Sequence, residues 1–152
     1  MTDHHLSAES YSQWQIKTLT FAGALPFLIA LLLTLFPLQG FDGAYLATSY
    51  ATLIISFLCG SLWMIALKSP GASLSSLFFI SNLITLIAWG AFLFLTTRWT
   101  LTLQGLCFLY LLFLDRRLAK IGLLSQWFYS SRRLITWIVV ILMVLLIGAL
   151  TF

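Results

Sequence analysis

A chain of 152 residues that is 61% hydrophobic and only 8% charged lacks the polar surface of a water-soluble domain, which carries roughly 25% charged residues. Its solvent is therefore read as lipid, in which helices can be apolar all round. The net charge of +4 does not point to nucleic acid, because five of the eight basic residues lie between Arg116 and Arg133, beside apolar runs; there they report topology and contact with anionic lipid.

Residues 1–16 are polar, with Asp3 and Glu9 and no arginine, and are expected outside the bilayer. No Arg-rich transit peptide is expected there, and the apolar run that follows is too long for the core of a secretory signal. Five apolar runs come next, at 18–38, 44–67, 74–95, 99–114 and 134–151. A helix needs about 20 apolar residues to span the hydrocarbon core. The fourth run, at 16 residues, must borrow flanking residues or thin the bilayer. No run alternates apolar and polar residues as a barrel strand does. Pro37 and Gly40 close the first run, and Lys68, Pro70 and Gly71 close the second. Thr96, Thr97 and Arg98 leave room only for a tight hairpin between the third and fourth. The predicted architecture is an all-α membrane protein, a single domain over 1–152, folded as a five-helix transmembrane bundle with a basic loop at 115–133. Within that loop Leu118, Ile121, Leu124 and Phe128 share one helical face, opposite Arg116, Arg117 and Lys120. Two readings stay open: a surface helix lying in the membrane interface, or an extension of the fourth helix followed by a turn near Gly122.

Five crossings place Lys17, Lys68, Arg116, Arg117, Lys120, Arg132 and Arg133 on one face and Arg98 alone on the other. The positive-inside rule then puts the N-terminus and the 115–133 loop in the cytoplasm and the C-terminus on the opposite, periplasmic face.

No charged residue and no histidine falls inside the predicted spans, so neither a proton or ion path nor paired-histidine haem ligation is expected. Cys59 and Cys107 sit in apolar runs and are expected as free thiols. No spacing suggests a metal site, and no cofactor is expected. Ser49, Thr52, Ser56 and Gly60 recur at helical spacing. Such a small-residue stripe suits close packing of the first three spans, with hydroxyls bonded to the backbone, or else a polar lining for a pocket. The amides of Asn82 and Gln104 must find partners in lipid, most simply across helices. Phe57, Trp63 and Trp89, beside Gly60 and Gly90, would frame an apolar pocket between the second and third spans. Other aromatics near run ends, Trp127 and Tyr129 among them, suit an interfacial belt. Asp115 ends the fourth run and Arg132 and Arg133 begin the fifth, each at the unfavourable end of its own helix dipole. An interfacial ion pair relieves both penalties, with Arg133 the expected partner.

A resemblance runs through these fragments. They are Ala22-Gly23-Ala24-Leu25-Pro26-Phe27 on the first run, Tyr50 and Ser56 to Trp63 on the second, and Ala88-Trp89 on the third. Asp115, Trp127, Tyr129, Arg133, Leu134 and Thr136 follow at the end. In order and spacing they resemble the family called domain of unknown function 3429, whose animal members include a mitochondrial transmembrane protein. The resemblance implies an inner-membrane location, here the bacterial cytoplasmic (inner) membrane, and no assigned activity. The family pattern on the second span runs Phe-Leu-Gly-Gly, one residue, His-Trp-Gly. Here Cys59, Leu62 and Met64 stand where that pattern has Gly, His and Gly, so any chemistry of that His is lost to this chain.

Three functions are weighed. The first is a non-enzymatic integral membrane protein, a structural or accessory partner of other membrane proteins that contacts membrane lipids, anionic ones at its basic face. The second is a binder or carrier of an apolar small molecule, a lipid or quinone, in an interhelical pocket. The third is a lipid enzyme at the interface using Asp115 with Tyr129 or Arg133, which lacks a visible nucleophile–base pair.

Overall fold

The computed structural model describes residue 18, residues 21–68 and residues 75–151. They form five helices: α1 (Leu25–Leu35), α2 (Gly43–Lys68), α3 (Ser75–Phe94), α4 (Thr97–Lys120) and α5 (Gln126–Ala149). No strand occurs among the described residues. Helices α2 to α5 are each long and apolar enough to cross a membrane. Readings made on the polar N-terminal segment, on Lys17 and on Pro70 and Gly71 lie outside the described residues.

The first apolar run departs from the single span expected over 18–38. Residues 21–22 are helical, Gly23 and Ala24 form a turn, and α1 then runs for 11 residues. At about 1.5 Å per residue that is roughly half of a hydrocarbon core. Pro26 explains the break, since it has no N–H to bond the carbonyl of Ala22 and its ring crowds that carbonyl. Pro37 ends α1 by driving Phe36 out of the helical region, to φ −125° and ψ 80°. Asp42 then caps α2, its Oδ1 accepting from the N–H groups of Ala44 at 2.9 Å and Tyr45 at 3.1 Å.

The predicted loop at 115–133 is mostly helix. α4 continues through Lys120 and α5 begins at Gln126, leaving 121–125 as the connection. Gly122 stops α4 at φ +79°, a left-handed conformation that favours glycine. Its N–H donates to the Ala119 carbonyl, and the Leu123 N–H reaches back to the Leu118 carbonyl. These two bonds close the helix end as a Schellman motif. The reading of an extended fourth helix with a turn near Gly122 therefore holds, and the separate interfacial helix does not form.

Successive helices run antiparallel, as their cross-contacts show: Phe27 meets Tyr50, Trp63 meets Ser81, Thr100 meets Ala91 and Arg132 meets Asp115. α2 and α4 lie side by side in parallel. α3 packs against both, while α1 packs on α2 and α5, and α5 on α4 and α1. The core is a set of helical stripes. On α2 it is Ala44, Ala47, Thr48, Ala51, Ile55, Cys59, Leu62 and Ala66. Phe27 is fully buried between α2 and α4, edge-on to Tyr50 and Phe108 with centroids 5.3 and 6.2 Å away.

Small residues do bring α1 and α2 together, but the contact is Gly43. A Cβ there would lie 2.3 Å from the Ala30 carbonyl oxygen and 2.9 Å from the Thr34 nitrogen. Gly60, expected at such a contact, faces outward with nothing within 4 Å of a Cβ. The expected stripe of Ser49, Thr52, Ser56 and Gly60 sits about 100° of helix rotation from the one that packs. Its three hydroxyls are half-buried and bond back to α2 carbonyls.

Candidate functional site

Among the described residues, four of the polar ties between neighbouring helices draw on buried groups, and they use most of the strong polar groups the core buries. Trp63 Nε1 on α2 donates to Ser81 Oγ on α3 at 2.8 Å. Thr100 Oγ1 on α4 donates to the Ala91 carbonyl of α3 at 2.9 Å. Gln104 on α4, fully buried, donates through Nε2 to the Thr48 carbonyl at 3.0 Å and to Thr52 Oγ1 at 2.9 Å, both on α2. Arg132 Nη2 on α5 meets Asp115 Oδ2 on α4 at 2.8 Å, with both side chains under a tenth exposed.

The geometry at Gln104 fixes which way its amide points. The Thr48 carbonyl can only accept, and Thr52 Oγ1 already donates to that carbonyl, so the amide nitrogen must face α2. Oε1 is left without a hydrogen-bond partner among the described residues. Gln104→Met, which keeps the volume and removes both polar ends, should therefore cost no more than about 1 kcal/mol. Thermal unfolding of the purified variant in detergent measures this, and a loss of several kcal/mol would mean that the tie holds α2 to α4 unaided.

The ion pair differs from the expected one in partner and depth. Arg132 lies on the buried stripe of α5 with Ile135, Thr136, Val139, Met143 and Leu146. Arg133 is rotated out of that stripe and is exposed, so it does not pair with Asp115. Because α4 runs five residues beyond Asp115 and α5 begins six before Arg132, neither charge sits in a terminal turn. Repulsion by the helix ends, which fades within one turn, is not what joins them. The expectation that every charge lies at or beyond the span ends fails for this pair, which is buried within the two helices.

The remaining candidates disperse. Phe57 and Trp89 are 74% and 51% exposed and point away from the bundle, so with outward-facing Gly60 they do not frame an apolar pocket between α2 and α3. A Cβ on Gly90 would also meet nothing within 4 Å. Asn82 is exposed and bonds back to its own helix, Nδ2 to the Phe78 carbonyl at 3.0 Å. Asp115 turns inward while Tyr129 and Arg133 line an outer groove, so the residues considered for a lipid enzyme do not converge. Trp127 and Tyr129 are half-buried in the first turn of α5, with Trp127 edge-on to Phe128 at 5.9 Å. Cys59 and Cys107 are free and buried, and no metal-holding cluster occurs among the described residues.

A feature no single motif foretold is the groove between α4 and α5 near their connecting turn, with a volume of about 570 Å³. Arg116 and Lys120 line it from α4, and Tyr129 and Arg133 from α5. Farther from the turn its walls are Leu109, Leu112, Phe113 and Trp137. Gln126 bridges the turn end, its Nε2 donating to the Ala119 carbonyl at 3.2 Å. The signal was present in the sequence: 109, 112, 113, 116 and 120 on one helix, and 126, 129, 133 and 137 on the next, each follow helical spacing. It becomes visible only once the turn at 121–125 makes the two stripes antiparallel neighbours. At the opposite end of the bundle a hollow of about 600 Å³ carries one charge, Arg98, which donates to the Leu150 carbonyl at the end of α5.

A family model described as "Protein of unknown function (DUF3429)" matches residues 12–148. No curated protein and no solved structure matches the chain.

Proposed function

The chain belongs to the family of unknown function DUF3429, and we propose that it serves as a non-enzymatic integral protein of a bacterial inner membrane, an accessory component that works by holding lipid or protein neighbours. The observation that carries this reading is the use of its buried polar groups. Asp115, Arg132, Gln104 and Ser81 each bond a group on a neighbouring helix. Groups committed in this way hold the bundle together, and among the described residues they are not free to serve as a nucleophile or base. The outward faces are apolar along the helices, as lipid or another membrane protein requires. Affinity purification from native membranes after crosslinking tests the role. Recovery of a defined membrane partner supports it, and turnover of a lipid by the purified chain would overturn it.

The proposed topology keeps five crossings, with the apolar run that contains α1 as the first. Reporters at the N-terminus and at Ser125 should then read cytoplasmic and one after Phe152 periplasmic. The short α1 makes the N-terminal reporter the discriminating one. If it reads with Phe152, the chain crosses four times. The count of basic residues changes only by Lys17, so the orientation of α2 to α5 would stand.

A further inference from the structure

The geometry points to the α4–α5 groove as a binding site for one phosphate-bearing amphiphile, an anionic phospholipid whose headgroup sits among Arg116, Lys120 and Arg133 and whose acyl chain lies toward Trp137. This rests on the reading of α2 to α5 as membrane-crossing helices.

Three observations converge on it. The first is charge. Among the described residues the one ion pair is Arg132–Asp115, so the three cations of the groove have no carboxylate partner among them. Asp42 caps α2 at the other end of the bundle, and Asp115 is turned into the core by Arg132. Adjacent arginines thus separate two tasks: Arg132 faces inward to a carboxylate, and Arg133 faces outward into a groove without one. The second is the order of polarity along the groove. From Lys120 to Leu109 is 11 residues, or about 16 Å of helix. Over that distance the lining passes from cations and the Tyr129 hydroxyl to Phe113, Leu112 and Leu109. A phospholipid changes from phosphodiester to hydrocarbon over a similar length and in the same direction, if the turn lies at the membrane surface. The third is shape. Tyr129 and Trp137, two turns apart on α5, give the groove a wall with an aromatic group at each depth, and aromatics of this kind favour the boundary between headgroup and chain. Phe113 is steadied from outside by the Arg117 guanidinium, 4.6 Å from its ring centre.

Free phosphate, or a soluble phosphodiester, shares the headgroup chemistry, and the lower groove separates the sources. A soluble anion has no use for Leu109, Leu112 and Trp137, whereas a lipid contacts both ends.

The test is native mass spectrometry of the full chain released from nanodiscs made of equal parts phosphatidylglycerol and phosphatidylcholine. Wild-type protein should retain one phosphatidylglycerol in preference to phosphatidylcholine. Arg116→Gln, Lys120→Gln and Arg133→Gln should each lower that preference about fivefold, while Arg98→Gln, at the opposite end, should leave it unchanged. Arg133→Lys should keep most of it, and Trp137→Ala should lower retention of both lipids. Matching melting temperatures for the groove variants and wild type establish that they fold. Equal retention by the Arg133→Gln and wild-type chains overturns the site, as does displacement of the lipid by millimolar inorganic phosphate with no effect of Trp137→Ala. Recovery of the chain in the soluble fraction overturns the membrane reading itself, whereas a membrane-embedded chain without lipid preference overturns only the groove.

Discussion

Arg132→Met is expected to lower stability by about 3–5 kcal/mol, because it leaves the Asp115 carboxylate buried between α4 and α5 with no cation beside it. The Arg132–Asp115 contact is short, at 2.8 Å, and enclosed, so the surrounding helices give the stranded charge no route to water. Asp115→Asn is expected to be costly for the converse reason, since the Arg132 guanidinium is then the stranded group. Removing both charges is different. Asp115→Leu with Arg132→Met replaces the pair by apolar groups of similar size, an exchange that is often neutral or stabilising in other buried pairs. The double variant should therefore recover most of the loss, and thermal unfolding in detergent should show strong non-additivity between the single changes. Arg133→Gln provides the contrast, with a change within about 0.5 kcal/mol. Additive effects at 115 and 132, or a large effect at 133, would show that the contact is not what joins the two helices.

Gly43→Ala should destabilise by about 3 kcal/mol, at the upper end for overpacking. The added carbon would meet backbone, the Ala30 carbonyl oxygen at 2.3 Å and the Thr34 nitrogen at 2.9 Å, and backbone cannot rotate aside as a side chain does. α1 would have to withdraw from α2 and would take Phe27 out of its place between Tyr50 and Phe108. Gly60→Ala has the opposite expected sign. Its added carbon enters open space, and exchanging glycine for alanine within a helix gains about 0.5–1 kcal/mol. The same pair of unfolding curves measures both, and a stable Gly43→Ala chain with a damaged Gly60→Ala chain would reverse the assignment of the packing face.

Most of the helical architecture was legible because apolar length alone identifies it. The runs at 44–67, 74–95 and 134–151 each correspond to a helix. The helix ends were harder to read. Lys120 and Arg117 look like loop residues by polarity, yet cations favour the last turn of a helix, and the stop is marked by Gly122 alone. Facing was harder still. Lipid-exposed and buried surfaces are both apolar, so hydrophobic periodicity fades. The stripe through Ser56 and Gly60 then looked as suitable for packing as the one through Ala47 and Ala51. On α5 a cue did remain. Arg132 is in phase with Thr136, Val139 and Met143, whereas Arg133 is in phase with Trp137. The pairing of Gln104 with Thr48 and Thr52 could not be read, since it depends on α2 and α4 becoming neighbours across 52–56 residues of chain.

The five-residue turn closed by Gly122 also bears on how the chain enters a membrane during synthesis. An aspartate or arginine opposes insertion by roughly 2.5–3.5 kcal/mol at the centre of a helix on translocon scales, and by less toward its ends, where Asp115 and Arg132 lie. Asp115 and Arg132 are only 17 residues apart, and the turn lays α5 back along α4 so that the two meet. The two charges can therefore neutralise each other before either is committed to lipid, so that α4 and α5 partition together as a hairpin. A ribosome paused just after Lys120 holds the opposite situation, a helix whose carboxylate has as yet no partner. Commitment of α4 to lipid is therefore expected to wait for Arg132, and a chain cut between the two residues should integrate α4 less well than one that includes both.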